Sequence, residues 1–370
     1  MQEIWKGSAK SRKLRRDRSL PATSAPTQDH GHVIAAEWLE SLISRGASVD
    51  ALRAHRLHLA AARLWRSRGL PVPAALQVEE RIATIRAIAA RTVLERVRAA
   101  YDGSLILMKG PEVAACYPVA SDRPFGDLDL IADDPPAALA ALLAAGFVEL
   151  AAPADYAKHH HLCPVALPGI PLPVELHHRA NQPPWLEPVP SSRLFDLSVP
   201  SVTGVEDLLA PEPAVHAVLL VAHSWTHEPL RRLGDLLDVA AVLAAADRDR
   251  ATGLAREWGW EGMWRTTLSA VDAMLGRRTW SLALQPWTRH LRDPRARTVL
   301  EQHITRTAAP ATSLPLSEVP RAILDVMKDT ITPGHDEGWL IQARRSCVAF
   351  AHAFMNASQH ERSLSSRGLS

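Results

Sequence analysis

Two stretches decide how this chain folds: Ser104-Leu-Ile-Leu-Met-Lys-Gly-Pro111 and Arg123-Pro-Phe-Gly-Asp-Leu-Asp-Leu-Ile-Ala132. In the first, a turn signal at Asp102-Gly103 precedes a short apolar run of the kind that forms a buried strand. Gly110-Pro111 then opens a helix, with proline where its missing N–H costs nothing, and the helix is expected to reach about Tyr117. In the second, polar and apolar residues alternate from Asp127 to Leu130, the period of a strand with one covered face. Asp127 and Asp129 therefore point to one side, and Leu128 and Leu130 to the other.

Outward from these strands, Pro135-Pro136 starts an Ala/Leu helix that Gly146 closes. Phe147–Leu150 reads as a further strand. His161–Leu167 and Leu172–His178 read as a hairpin around Pro168-Gly-Ile-Pro171. Before this block, Leu39, Leu42 and Ile43 and then Leu57, Leu59, Ala60 and Leu64 recur at helical spacing. A long amphipathic helix follows over 76–100, with Ile82, Ile85, Ile88, Ala89, Val93 and Val97 on the stripe expected to pack. From 205 to about 355 helical periods return. The expected fold class is α+β, a small mixed sheet between two helical regions. The expected divisions are a basic tail over 1–30, a helical region over 31–101, the sheet core over 102–200, a second helical region over 201–358 and a tail over 359–370.

Composition narrows the function. The chain has 370 residues, 47% apolar and 22% charged, an ordinary globular mix. Lys+Arg 42 against Asp+Glu 40 leaves +2, which argues against wholesale binding of nucleic acid or an anionic membrane. No apolar run approaches the ~20 residues that cross a bilayer. The basic N-terminus has no apolar segment behind it, and Cys116, Cys163 and Cys347 lack paired or metal-type spacing. A cytoplasmic protein is the expectation.

The chemistry concentrates in acids. Asp-x-Asp on a strand is often no more than an exposed edge, but two carboxylates on one face repel unless a divalent cation lies between them. Glu175, in Val174-Glu-Leu-His177, shares a face with His177. If its strand lies beside the Asp127 strand, Asp127, Asp129 and Glu175 form one cluster fit for Mg²⁺ or Mn²⁺. Lys109 and Gly110 at the strand end, and Arg123 in the following loop, are candidate nucleotide-phosphate ligands. His159-His160-His161 reads as a polar entry to a strand. His177 is a candidate to orient an acceptor or to support the acids. His223 and His227, one helical turn apart, are candidates for packing or substrate contact rather than a two-His metal site.

The string Leu-Ile-Leu-Met-Lys109-Gly110, Tyr117-Pro118, Arg123-Pro-Phe-Gly-Asp127-Leu-Asp129 and Val174-Glu-Leu-His177 resembles the uncharacterised nucleotidyltransferase family of the DNA polymerase beta superfamily. His216 to His223 and Arg232-Leu233 to Asp238 extend the likeness, over roughly 55–245. The resemblance implies a minimal nucleotidyltransferase sheet and metal-dependent transfer of a nucleoside monophosphate from an NTP to an acceptor hydroxyl. It implies Asp127, Asp129 and Glu175 as metal ligands and catalytic acids, and Lys109 and Gly110 at the triphosphate. Lys109-Gly110 stands where the superfamily usually has Gly-Ser. The resemblance also suggests peptide modification, with a peptide, protein or small molecule as acceptor. The rival reading is a silent nucleotide-binding or scaffold protein on the same fold.

Overall fold

The computed structural model describes residues 38–44, 46–156, 160–331, 338–344 and 347. Both expected tails, with Lys158, His159 and the side chain of His227, lie outside the described residues.

The strands are β1 Leu105–Leu107, β2 Leu128–Ala132, β3 Val148–Glu149, β4 Val165–Ala166, β5 Val174–His177, β6 Ser198–Pro200 and β7 Leu208–Pro211. They form one mixed sheet in the order β3-β4-β5-β2-β1-β7-β6. β1 runs antiparallel to β2 and parallel to β7, and β2 runs parallel to β5. The α+β class and the hairpin of β4 and β5 follow the sequence reading. The sheet holds two strands absent from that reading: β6, at the end of the expected 102–200 core, and β7, past 205 where helix was expected. Leu208-Leu-Ala-Pro211 is too short to show a period, and only its place beside β1 makes it a strand.

Strand alternation divides the interior in two. Leu105, Leu107, Leu128, Leu130, Val174 and Leu176 pack under the helices Ala74–Ala100 and Pro135–Ala144. On the opposite face Ile106, Met108 and Ile131 join the larger core, with Val215, Val218 and Trp225 of the Pro213–His227 helix. Asp129 lies on the second face, between buried neighbours of the same strand.

The long helix departs from expectation along its first half. Val93, Leu94 and Val97 are buried, but Ile82, Ile85 and Ile88 are 39%, 53% and 73% exposed, so the stripe outruns its partner. Periodicity reports which side of a helix is apolar and not where the surface opposite it ends. The helix begun by Pro111 is also shorter than expected, a single turn ending at Ala114. Among the described residues no helix is long and apolar enough to cross a membrane.

Candidate active site

The parallel pairing of β2 with β5 sets Asp129 directly opposite Glu175. Both side chains leave the same sheet face, with His177 two residues beyond Glu175. Asp129 is 3% exposed and Glu175 is half-buried. Asp129 Oδ1 lies 3.0 Å from Lys109 Nζ and 3.2 Å from His177 Nε2. Glu175 Oε2 lies 3.6 Å from His177 Nε2 and 3.8 Å from His161 Nε2. One ligand atom each from Asp129, Glu175 and His177 falls within 4.8 Å of the others. Asp129 Oδ2 is buried and accepts no hydrogen bond among the described residues. A buried carboxylate oxygen without a donor is costly, and a divalent cation would satisfy it. The donor set, two carboxylates with an imidazole beside them, fits Mg²⁺ or Mn²⁺.

Asp127 sits just before β2 and lines the same cleft. Its ionisation differs from that of Asp129. Burial and then the negative charge of Asp129 raise the Asp127 pKa. Burial also works against the Asp129 carboxylate, but Lys109 and the nearby His177 ring overcome it and hold the pKa well below the usual range. Glu175 is lowered too, burial being outweighed by the His177 ring 3.6 Å away. His177 is raised: burial opposes its charge, and the nearby carboxylates of Asp129 and Glu175 prevail. The proximity that favours charge on His177 is the same that favours charge on Asp129 and Glu175, so the imidazole and each acid support one another.

The first phosphate candidates are placed by their own contacts. Gly110 has φ 66°, and a Cβ there would stand 3.4 Å from both the Asp127 carbonyl oxygen and Leu128 Cδ2. That backbone state favours glycine. Lys109 is committed to Asp129, with His223 Nε2 3.2 Å away on the Pro213–His227 helix. Asn181 Nδ2 lies 3.2 Å from the other ring nitrogen, Nδ1. Arg123 is buried. Its Nε and Nη2 donate to Asp238 at 2.8 and 2.9 Å, and its Nη1 donates to the Gly110 carbonyl at 3.1 Å. Tyr117 donates to the same carboxylate at 2.7 Å. His216 Nε2 donates to the Met108 carbonyl at 2.7 Å, which fixes the end of β1.

Asp127, Asp129 and Glu175 open into a cleft of about 680 Å³, with Lys109, Gly110 and Arg123 also on its wall. The six candidate residues therefore converge in space. The cleft holds more than the sequence reading found. His161, read as a strand entry, bridges to His177 and faces Glu175. Asn181, Arg56 and Arg231 had no motif to mark them. Their only signal is that polar residues cluster near predicted element ends, where clefts form.

The family model described as uncharacterised nucleotidyltransferase matches residues 45–276. The chain belongs to that nucleotidyltransferase family. The match covers the sheet and the helices from Val49 up to Gly276, so all six candidate residues of this nucleotidyltransferase lie inside it, while Arg295, Ala296 and Arg297 of the cleft wall lie beyond it. No curated protein and no solved structure matches the chain significantly.

Proposed function

We propose that this member of the nucleotidyltransferase family transfers a nucleoside monophosphate from an NTP to an acceptor hydroxyl. The in-register pair Asp129–Glu175, beside Asp127 and a cation-lined cleft, is the observation that carries the reading. Asp127, Asp129 and Glu175 would hold Mg²⁺ or Mn²⁺, with His177 alongside. Bound there, the ion would polarise the phosphoryl oxygens and favour loss of pyrophosphate.

The protein's own groups supply position and charge. Lys109 keeps Asp129 ionised and aimed into the cleft. The Arg123–Gly110 bond holds the strand-to-helix turn against which the nucleotide lies. Glu175, ionised and half-buried, takes the proton of the acceptor hydroxyl as its oxygen attacks the α-phosphorus. The bond from that phosphorus to the bridging oxygen breaks, and pyrophosphate leaves with the electron pair. The acceptor class is a hydroxyl on a peptide, a protein or a small molecule.

Incubation with labelled ATP, GTP, CTP and UTP, Mg²⁺ or Mn²⁺ and hydroxyl-bearing peptides tests the reading. Pyrophosphate release with an NMP-sized mass gain on the acceptor is expected. Tight nucleotide binding without release for any acceptor would favour the silent-binding alternative.

A further inference from the structure

Two of the three expected phosphate ligands are already engaged. Lys109 faces Asp129, and Arg123 faces Asp238. The helix after Gly110 is a single turn that starts with proline, so it offers an anion few N–H groups and little dipole. A substrate carrying several phosphate charges needs other cations, and the cleft has them on the wall opposite the sheet.

Arg56, Arg231 and Arg232 line the same cleft as Asp127. None comes from the sheet. Arg56 lies between the helices Val49–Ala54 and His58–Ser67, and the other two precede the helix Leu233–Leu243. Among the described residues the Arg232 guanidinium makes no hydrogen bond and no ion pair. Arg56 reaches Asp235 at 3.5 Å with Nη1, and Arg231 reaches Glu228 at 3.7 Å. Burial lowers the pKa of Arg232; Asp235 opposes, but Arg231 and Arg56 push it down further. Three guanidiniums that repel one another across a half-buried wall are stabilised by an anion between them.

The backbone that presents them is held in unusual conformations. Arg56 has φ 60° and Leu230 has φ 52°, values that residues other than glycine seldom adopt. Arg297, 3% exposed, holds the second turn. Its Nη2 donates to the carbonyls of Pro229, Leu230 and Trp287 at 2.5, 3.1 and 2.9 Å. The Arg56 Nη2 donates to the Pro124 carbonyl at 2.9 Å, which ties the first turn to the loop leading into Asp127.

We propose that Arg56, Arg231 and Arg232 form an oligophosphate-binding wall that receives the pyrophosphate end of the NTP, with Arg297 as the residue that positions it. The assignment rests on the nucleotide-transfer reading above. It places the β- and γ-phosphates against the helical regions rather than on the Lys109-Gly110 turn. A phosphorylated acceptor carries the same chemistry and is the other source of such an anion.

Isothermal titration of the full chain with inorganic pyrophosphate, in metal-free buffer and again with Mg²⁺, is the test. The expected result is binding by the wild type and a loss of tenfold or more in affinity for Arg232→Gln and Arg56→Gln. NMP affinity is expected to stay within about twofold. Arg297→Lys keeps the charge but loses the guanidinium fork, whose Nε and Nη1 also bond His290 and Thr305. It is expected to weaken pyrophosphate binding below its melting transition, whereas a merely structural role would lower the melting temperature and leave that affinity alone. Unchanged pyrophosphate affinity in Arg232→Gln overturns the proposal. So does an Arg232→Gln effect confined to the KM of a phosphorylated acceptor. A wild type that binds pyrophosphate but releases none from any NTP sinks the transfer reaction and leaves the wall standing, so the two failures are distinguishable.

Discussion

Arg123 and Asp238, far apart in the chain, form a two-bond ion pair, both partners buried, with a third bond from Tyr117 on the same carboxylate. The pair joins the Leu233–Leu243 helix to the loop before β2, and through Gly110 to the end of β1. Removing one partner leaves a buried charge without its counterpart. Asp238→Ala is expected to cost about 3–5 kcal/mol in urea denaturation. Tyr117→Phe, which deletes one hydrogen bond, is expected to cost about 1 kcal/mol. Equal costs for the two would show that the pair is not what holds the helix to the sheet.

The acids separate stability from chemistry. Asp127→Asn, Asp129→Asn and Glu175→Gln remove one charge each and keep the side-chain volumes. Each is expected to reduce pyrophosphate release by about 10²–10³-fold or more. Asp127→Asn is expected to hold the melting temperature, whereas Asp129→Asn leaves half-buried Lys109 short of its counter-charge and is expected to lower it. Wild-type protein is expected to melt higher with saturating Mn²⁺ than with EDTA, by about 2–3 kcal/mol of added stability at a hundredfold excess over the dissociation constant. The increment is expected to vanish in Asp129→Asn. An equal Mn²⁺ effect in that variant would move the metal elsewhere.

Acid is expected to loosen the joint between sheet and helices before it titrates the carboxylates. His55 and His216 are pushed down to about 4 and His290 to about 2, in each case chiefly by burial. A depressed histidine pKa means that the unfolded chain takes up protons first. Stability is therefore whole above the unfolded value of 6.5 and falls as the pH drops toward 4. The geometry agrees. The Leu233 N–H donates to His55 Nδ1, and Arg297 Nε to His290 Nδ1, so both nitrogens are acceptors that a proton would block. The urea midpoint is expected to decline between pH 6.5 and 4.5, and His216→Gln to flatten part of the slope. A level profile across that window would refute the assignment of neutral histidines.

Gly110 is the position where a methyl group is expected to matter most. Its φ of 66° and the 3.4 Å approach to the Asp127 carbonyl leave alanine strained. Gly110→Ala is expected to lose about 1–2 kcal/mol and to raise the KM for NTP. A neutral outcome in both thermal melts and kinetics would remove the turn from the site.

The central part of the fold was legible because its signals are local. Alternation in Asp127–Leu130 and Val174–His177 assigned faces, and the faces held: Leu128, Leu130, Val174 and Leu176 are buried while Asp129 and Glu175 meet. The register between those strands was a conditional expectation, since 128–132 and 174–177 are joined only through tertiary pairing. β7 was missed because four residues cannot show a period and Pro211 argues against a strand. The apolar first half of the long helix was expected to be covered, and Ile88 is not. Of the arginine wall only Arg232 fell in a motif, the Arg232-Leu233 to Asp238 stretch, and nothing in that motif marked it as a phosphate ligand. The wall exists because two helix-to-helix turns, far apart in sequence, arrive at one cleft.

The parallel register of β2 with β5 carries a last consequence. Side chains there alternate between an oily layer and the cleft, so parity decides which residue faces which. Deleting or inserting one residue between Leu172 and Glu175 would turn Val174 toward the cleft and drive Glu175 into the packing of Leu107 and Leu130. Descent within this lineage should thus accept exchanges along β5 more readily than changes in its length.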